Sequence, residues 1–184
     1  MVAKKYQEYT EAALQPFAEQ LQSDYYDTTE TLCVKARKQA EKIKSIEKSA
    51  TQLQYVLQCQ RIINDIESHI RDRKLRYMPY ISTLSEKVRD NHNCTNCSGN
   101  CKINHDVHVL ELSVTNEELK KVMGRLHMIT LPLYSETIFP DEYRLLRSNM
   151  ALLETSVTEL FFLENNYLIP KIIEAQKKIN AGNK

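Results

Sequence analysis

From Leu146 to Tyr167 the chain sets Leu146, Met150, Leu153, Val157, Leu160, Glu164 and Tyr167 at alternating steps of four and three residues. Side chains at that spacing lie along one line of an α-helix, so the pattern predicts a long helix with one stripe turned to a bundle core. Moved back by 91 positions, the stripe falls on Tyr55, Cys59, Ile62, Ile66, His69 and Arg73. The correspondence runs past the stripe, with Pro79 matching Pro170 and Ile81 matching Ile172. Two helices are therefore built to one pattern, and His69, Arg73 and Glu164 sit on core-facing lines where apolar residues are the rule.

A third stripe runs Val109, Leu112, Asn116, Leu119, Met123, Leu126, Thr130. Thr115 to Glu118 has the spacing of a capping box, which would start this helix late. The stripe crosses residue 115 unbroken and favours the longer helix. A fourth, of smaller residues, runs through Tyr26, Leu32, Cys33, Ala36, Ala40 and Ile43. With three glycines in 184 residues and no tryptophan, the composition agrees with an all-α protein. Short connections between long amphipathic helices imply an up-down-up-down four-helix bundle. Helices are expected near 24–48, 50–78, 106–131 and 141–179, with Pro79 and Pro170 limiting continuation. Residues 1–22, interrupted at Pro16, read as an N-terminal helical extension to a bundle over 23–180. His127 and Cys33 fall on helices and read as packing residues.

Twenty-five basic residues against 24 acidic ones give a net charge of +1, which provides no drive toward nucleic acid or an anionic membrane. No apolar run approaches the ~18 residues of a membrane span, and the first residues lack a signal-peptide core. The expected compartment is the cytoplasm, the expected state monomer or homodimer, and the sequence names no protein partner.

Leu-Glu-Asn-Asn-Tyr-Leu-Ile-Pro-Lys (163–171) and Ser-His-Ile-Arg-Asp-Arg-Lys-Leu-Arg-Tyr-Met-Pro (68–79) carry a resemblance. They are similar to the last-helix and second-helix motifs of the hemerythrin-like (HHE cation-binding) bundles, nearest the di-iron branch that repairs iron–sulfur clusters. Asp141-Glu-Tyr-Arg-Leu-Leu resembles the start of that family's last helix, and the likeness spans about residues 23–178. It implies a bundle whose metal ligands are histidines and bridging glutamates. His69 and Glu164 match ligand positions. Arg73 stands where a bridging glutamate is expected, Leu160 and Asn116 where histidines are expected, and Tyr26 near the first-helix histidine. A guanidinium cannot coordinate a metal and repels a cation, so iron at these positions is disfavoured. The simplest reading is a hydrogen-bonded core histidine and a salt-bridged glutamate. By the resemblance, Arg73 and Glu164 should meet across the core as an ion pair, with His69 and either Tyr26 or Asn116 completing its hydrogen bonds.

Between the second and third helices, the connection at 92–105 contains Cys94-Thr-Asn-Cys97-Ser-Gly-Asn-Cys101, with His105 as the best-placed fourth donor and His92 or His108 as alternates. Thiolate and imidazole donors after a Cys-x2-Cys turn suit structural zinc. The same crowding is compatible with a reversible disulfide, or with a polar loop in which the thiols have no task. No nucleophile elbow, phosphate-cradling glycine loop or paired-carboxylate site supports an ordinary enzyme. The leading expectation is a non-catalytic, degenerate hemerythrin-like protein with a zinc-binding or redox-sensing connection. Two others stand beside it: a metal-dependent cluster-repair or O2/NO-sensing protein with an altered iron site at His69 and Glu164, and a metal-free interaction scaffold.

Overall fold

The long helices predicted from the stripes all form, and three of them pass through a π-helical segment near mid-length. The computed structural model describes residues 2–46, 50–94, 109–135 and 141–181. In chain order these residues form α1 (Val2–Glu11), α2 (Leu14–Leu21), α3 (Asp27–Ile46), α4 (Ala50–Asp72), α5 (Met78–Arg89), α6 (Val109–Ser135), α7 (Asp141–Leu163) and α8 (Ile169–Ala181). The π-helical segments Gln22–Tyr26, Arg73–Tyr77 and Glu164–Leu168 join α2 to α3, α4 to α5 and α7 to α8. The bundle thus comprises one helix over 14–46, a second over 50–89, a third over 109–135 and a fourth over 141–181. α3 packs against both α4 and α7, α4 against α6, and α6 against α8, which gives the expected up-down-up-down ring behind a short N-terminal helix.

The π segments explain where the helix limits depart from expectation. Each closes on a hydrogen bond to the carbonyl five residues back: Asp27 N–H to Gln22, Met78 N–H to Arg73, and Ile169 N–H to Glu164. Pro79 and Pro170 come directly after the last two of these donors. A proline inside an α-helix clashes with the carbonyl four residues back and leaves it without a donor. Here that carbonyl belongs to Leu75 or Asn166, inside the widened turn, and the wider turn makes room for the ring. The second helix therefore continues past Pro79 to Arg89. It ends instead in a Schellman motif, with Asn91 in the left-handed region (φ 49°), His92 N–H on the Lys87 carbonyl and Asn91 N–H on that of Val88.

The extra residue in each π turn also shifts the core stripe by one position. After Glu164 the fully buried residue is Leu168, while Tyr167 is only half-buried. After Arg73 it is Tyr77, and Arg76 is exposed. Upstream of the π turns the stripe residues from Tyr55 to Ile66 and from Leu146 to Leu160 are buried as read, and so are Val109 to Met123 on the third helix. Cys33 is buried, but His127 is exposed and does not pack in the core.

The first bundle helix begins nine residues before Ser23, at Leu14, so 14–22 belongs to the bundle and the extension reduces to α1. Pro16 does not interrupt it, because a proline in the first turn removes an N–H that has no helical partner anyway. α1 lies against the end of the bundle formed by α2, α5 and α8. The Tyr9 ring meets Phe17 and Tyr167 edge-on at 5.5 and 6.0 Å. Lys171 Nζ donates to the carbonyls of Thr10 and Ala12 at 2.9 and 2.6 Å.

Candidate functional site

Four polar or charged residues are fully buried among the described residues, Thr29, Arg73, Asn116 and Glu164, and the last three meet at one level of the bundle. Arg73 opens the π segment of the second helix and Glu164 that of the fourth, at the 91-residue offset read from the sequence. Tyr26, which closes the π segment of the first helix, completes the level with Asn116 of α6. Every long helix supplies one member.

Each nitrogen of the Arg73 guanidinium has an acceptor. Nε donates to Glu164 Oε1 at 3.4 Å and Nη1 to Asp72 Oδ2 at 3.0 Å. Nη2 lies 2.7 Å from Thr115 Oγ1, 3.2 Å from Asn116 Oδ1 and 3.3 Å from the Leu112 carbonyl. Its Cζ sits 5.2 Å from the centre of the Tyr77 ring, which Arg76 approaches to 4.7 Å, so the buried cation also has an aromatic neighbour. The expected Arg73–Glu164 pair is present. The shorter bond to the carboxylate comes from Tyr26, whose hydroxyl donates to Glu164 Oε1 at 2.7 Å. Burial, and then the neighbouring carboxylate, push the Tyr26 phenol well above its ordinary range and keep it a neutral donor. Asn116 Nδ2 extends the network to Asn165 Oδ1 at 3.3 Å.

His69 stands one helical turn before Arg73 and does not complete the network as expected. Its Nε2 lies 3.9 Å from Glu164 Oε2, beyond hydrogen-bond length, and both atoms are buried without a hydrogen-bond partner. Burial, reinforced by the Arg73 charge, lowers the imidazole to about 3, so it is neutral near pH 7. The ring rests against Phe161 at 5.2 Å. Leu160, one turn before Glu164 and in the place of a family histidine, is fully buried and apolar. A cleft of about 540 Å³ between α4 and α6 reaches this level from solvent, lined in part by Asp65, His69, Arg73, Thr115 and Leu119.

Sequence reading missed Thr115 and Asp72. Thr115 was visible only as half of a capping box. In the folded chain its hydroxyl lies 2.9 and 3.1 Å from the Glu111 and Leu112 carbonyls, bonds to them, and takes up Arg73 as well. Asp72 lies off the stripe, whereas Tyr77, read as on or near it, joins the buried line through the π shift. Outside the core, Lys74 reaches Glu30 at 2.7 Å and Arg76 reaches Glu111 at 2.8 Å, joining the second helix to the first and third.

These residues do not fit the di-iron centre that the resemblance implies. Of the six positions, His69 and Glu164 retain donors of the expected kind, and a guanidinium stands beside them. No group of three or more His, Cys, Asp or Glu side chains converges on a metal position among the described residues. At the cysteine connection, Cys94 is buried at the α8 end of the bundle, with its N–H on the Ile179 carbonyl at 2.9 Å. His92 is half-buried, whereas Cys97, Cys101, His105 and His108 lie outside the described residues. Cys33 and Cys59 are pushed up to about 12 by burial, which makes them inert thiols. No described helix is long and apolar enough to cross a membrane. No protein-family model, curated protein or solved structure matches this chain.

Proposed function

We propose that this chain is a non-catalytic, hemerythrin-like bundle in which a hydrogen-bonded cation has taken the place of a metal centre, and that its cysteine connection binds zinc or responds to redox state. The observation that carries the reading is the Arg73 guanidinium, 1 % exposed and bonded to acceptors on two other helices at the level where the resemblance puts iron. A fixed positive charge there neutralises Glu164 and occupies Asn116. It thereby replaces the electrostatic part of a metal's role without its redox chemistry. On this reading the core is a structural element, and responsiveness belongs to Cys94, Cys97, Cys101 and His105.

A second reading draws on His69 Nε2 and Glu164 Oε2, which face each other without partners. In it the two atoms hold a single iron for cluster repair or gas sensing. Against it, a first-row ion bound ~2.1 Å from both atoms, given their separation, would subtend roughly 135° and lie beside a guanidinium charge. Elemental analysis of protein purified without an affinity tag separates the readings. The first expects zinc near one equivalent and little iron. Cys97→Ser and Cys101→Ser should each lower the zinc while leaving the helical circular dichroism unchanged. Stoichiometric iron with charge-transfer absorption, lost in His69→Leu, would favour the second, and zinc content unaltered by both serine variants would remove the cysteine site.

A further inference from the structure

Helix α6 has a second line of residues on the side away from the core. Leu110, Val114, Glu117, Lys121, Gly124 and Met128 follow at steps of four and three, the spacing of the buried stripe but on the opposite side of the helix. All six are exposed, and Leu110, Val114 and Met128 are open to solvent over 69, 57 and 66 % of their surface. Exposed apolar residues standing singly need no explanation, whereas a line of them marks a surface for another chain. Around Gly124 the line dips into a shallow recess walled by Lys121, Arg125 and Met128. A methyl group on Gly124 would meet no neighbouring atom within 4 Å. The fold of one molecule therefore gives no reason for glycine there, although glycine inside a helix is costly relative to alanine.

The order of the residues specifies what fits against them. They stand symmetrically about residue 119: Leu110 and Met128 nine positions to either side, Val114 and Gly124 five, Glu117 and Lys121 two. Two copies of α6 packed antiparallel about a two-fold axis at that level bring the members of each pair face to face. Leu110 meets Met128, Val114 enters the recess at Gly124, and Glu117 meets Lys121, each contact being made twice. Lys120 holds Glu117 Oε1 at 2.8 Å, and a carboxylate accepts at its second oxygen as well. Lys121 and Arg125 have no ion pair among the described residues. At the edge of the contact Arg125 comes level with Glu111. Glu118 and Lys120 each come level with their own counterpart, at a rim where solvent screens like charges.

We propose that α6 is a dimerisation helix, packed antiparallel on α6 of a second copy of this chain. The line is complementary to itself in charge and in shape, which is the requirement of a two-fold contact. A parallel pair would instead set Glu117 on Glu117 and Lys121 on Lys121. One helix from each chain makes an interface at the low end of the size range, so the dimer is reversible. The surface lies on the opposite side of α6 from Asn116 and does not depend on what the core holds.

The test is sedimentation velocity of the full chain, in reductant, from about 1 to 500 µM. A reversible monomer–dimer equilibrium is expected, and Val114→Glu should weaken it at least about tenfold. Lys121→Glu and Glu117→Lys should each weaken it by about tenfold, because each sets like charges opposite one another at two places. An equimolar mixture of those two variants restores opposite charges at both places and should associate as the parent does. The substituted side chains are exposed, so each dilute variant should melt as the dilute parent does. A chain that stays monomeric throughout the range overturns the proposal and leaves this face to a different partner. So does a dimer indifferent to Val114→Glu, or a mixture of the two charge variants that associates no better than either alone.

Discussion

Arg73→Met is expected to lower the melting temperature by roughly 10 °C, the largest effect of any single substitution in this chain. The variant keeps the side-chain volume and removes the charge, leaving Glu164 buried with Tyr26 as its one remaining donor. An uncompensated buried charge of this kind costs about 3–5 kcal/mol, and about 2–4 °C follows from each kcal/mol in a chain of this size. Glu164→Gln should cost less. It retains an acceptor for Tyr26, and Arg73 keeps Asp72 as a carboxylate partner at 3.0 Å. The double variant should recover part of the Arg73→Met loss, because replacing both charges at once leaves neither unpaired. Thermal or urea unfolding of the parent and the three variants gives the coupling directly, and strictly additive losses would mean that the 3.4 Å contact carries no energy.

The second large effect is a loss of stability in mild acid through His69. The folded imidazole is held at about 3, whereas in the unfolded chain it titrates near ~6.5. Between those values the unfolded state binds a proton that the folded state refuses, so stability falls as pH falls, by about 1.4 kcal/mol per pH unit. The fall should begin just below the unfolded value and amount to about 2–3 kcal/mol by pH 4.5. The groups facing the ring fix the sign. Arg73 repels a proton and Phe161 offers it no partner. Glu164, 3.9 Å away, already has its charge offset by Arg73 and a bond from Tyr26. His69→Leu should flatten the stability profile between pH 6.5 and 4.5 relative to the parent. An unchanged slope would show that the imidazole protonates freely in the folded chain.

Periodicity made the bundle legible, because burial of a 3-4 stripe is a local, repeated requirement that few other folds meet. The members of the core network were legible for the same reason: Tyr26, Arg73, Asn116 and Glu164 interrupt apolar lines, and a polar residue on such a line is usually partnered inside, although His69, which interrupts one too, is not. The partners themselves were not. Thr115 was recruited across the groove between α4 and α6, and no spacing along one helix encodes that contact. The π turns were hidden because proline has a familiar meaning, the end of a helix. Only the carbonyls of Leu75 and Asn166, displaced in the widened turn, cancel it. From that error came two others, the short second helix and Tyr167 in place of Leu168 on the core line.

Those π turns have a mechanical consequence. A continuous α-helix is a rigid screw, so a change in the seating of one end must rotate the other. Three of the four shafts in this bundle have a widened thread at the level of Arg73, Glu164 and Tyr26, with the extra residue taken up there. The core line of α5 and of α8 is therefore set one position over from that of α4 and of α7, with Tyr77 and Leu168 the first residues on the new line. The face that each of these shafts turns to the core is thus chosen separately on the two sides of the polar level.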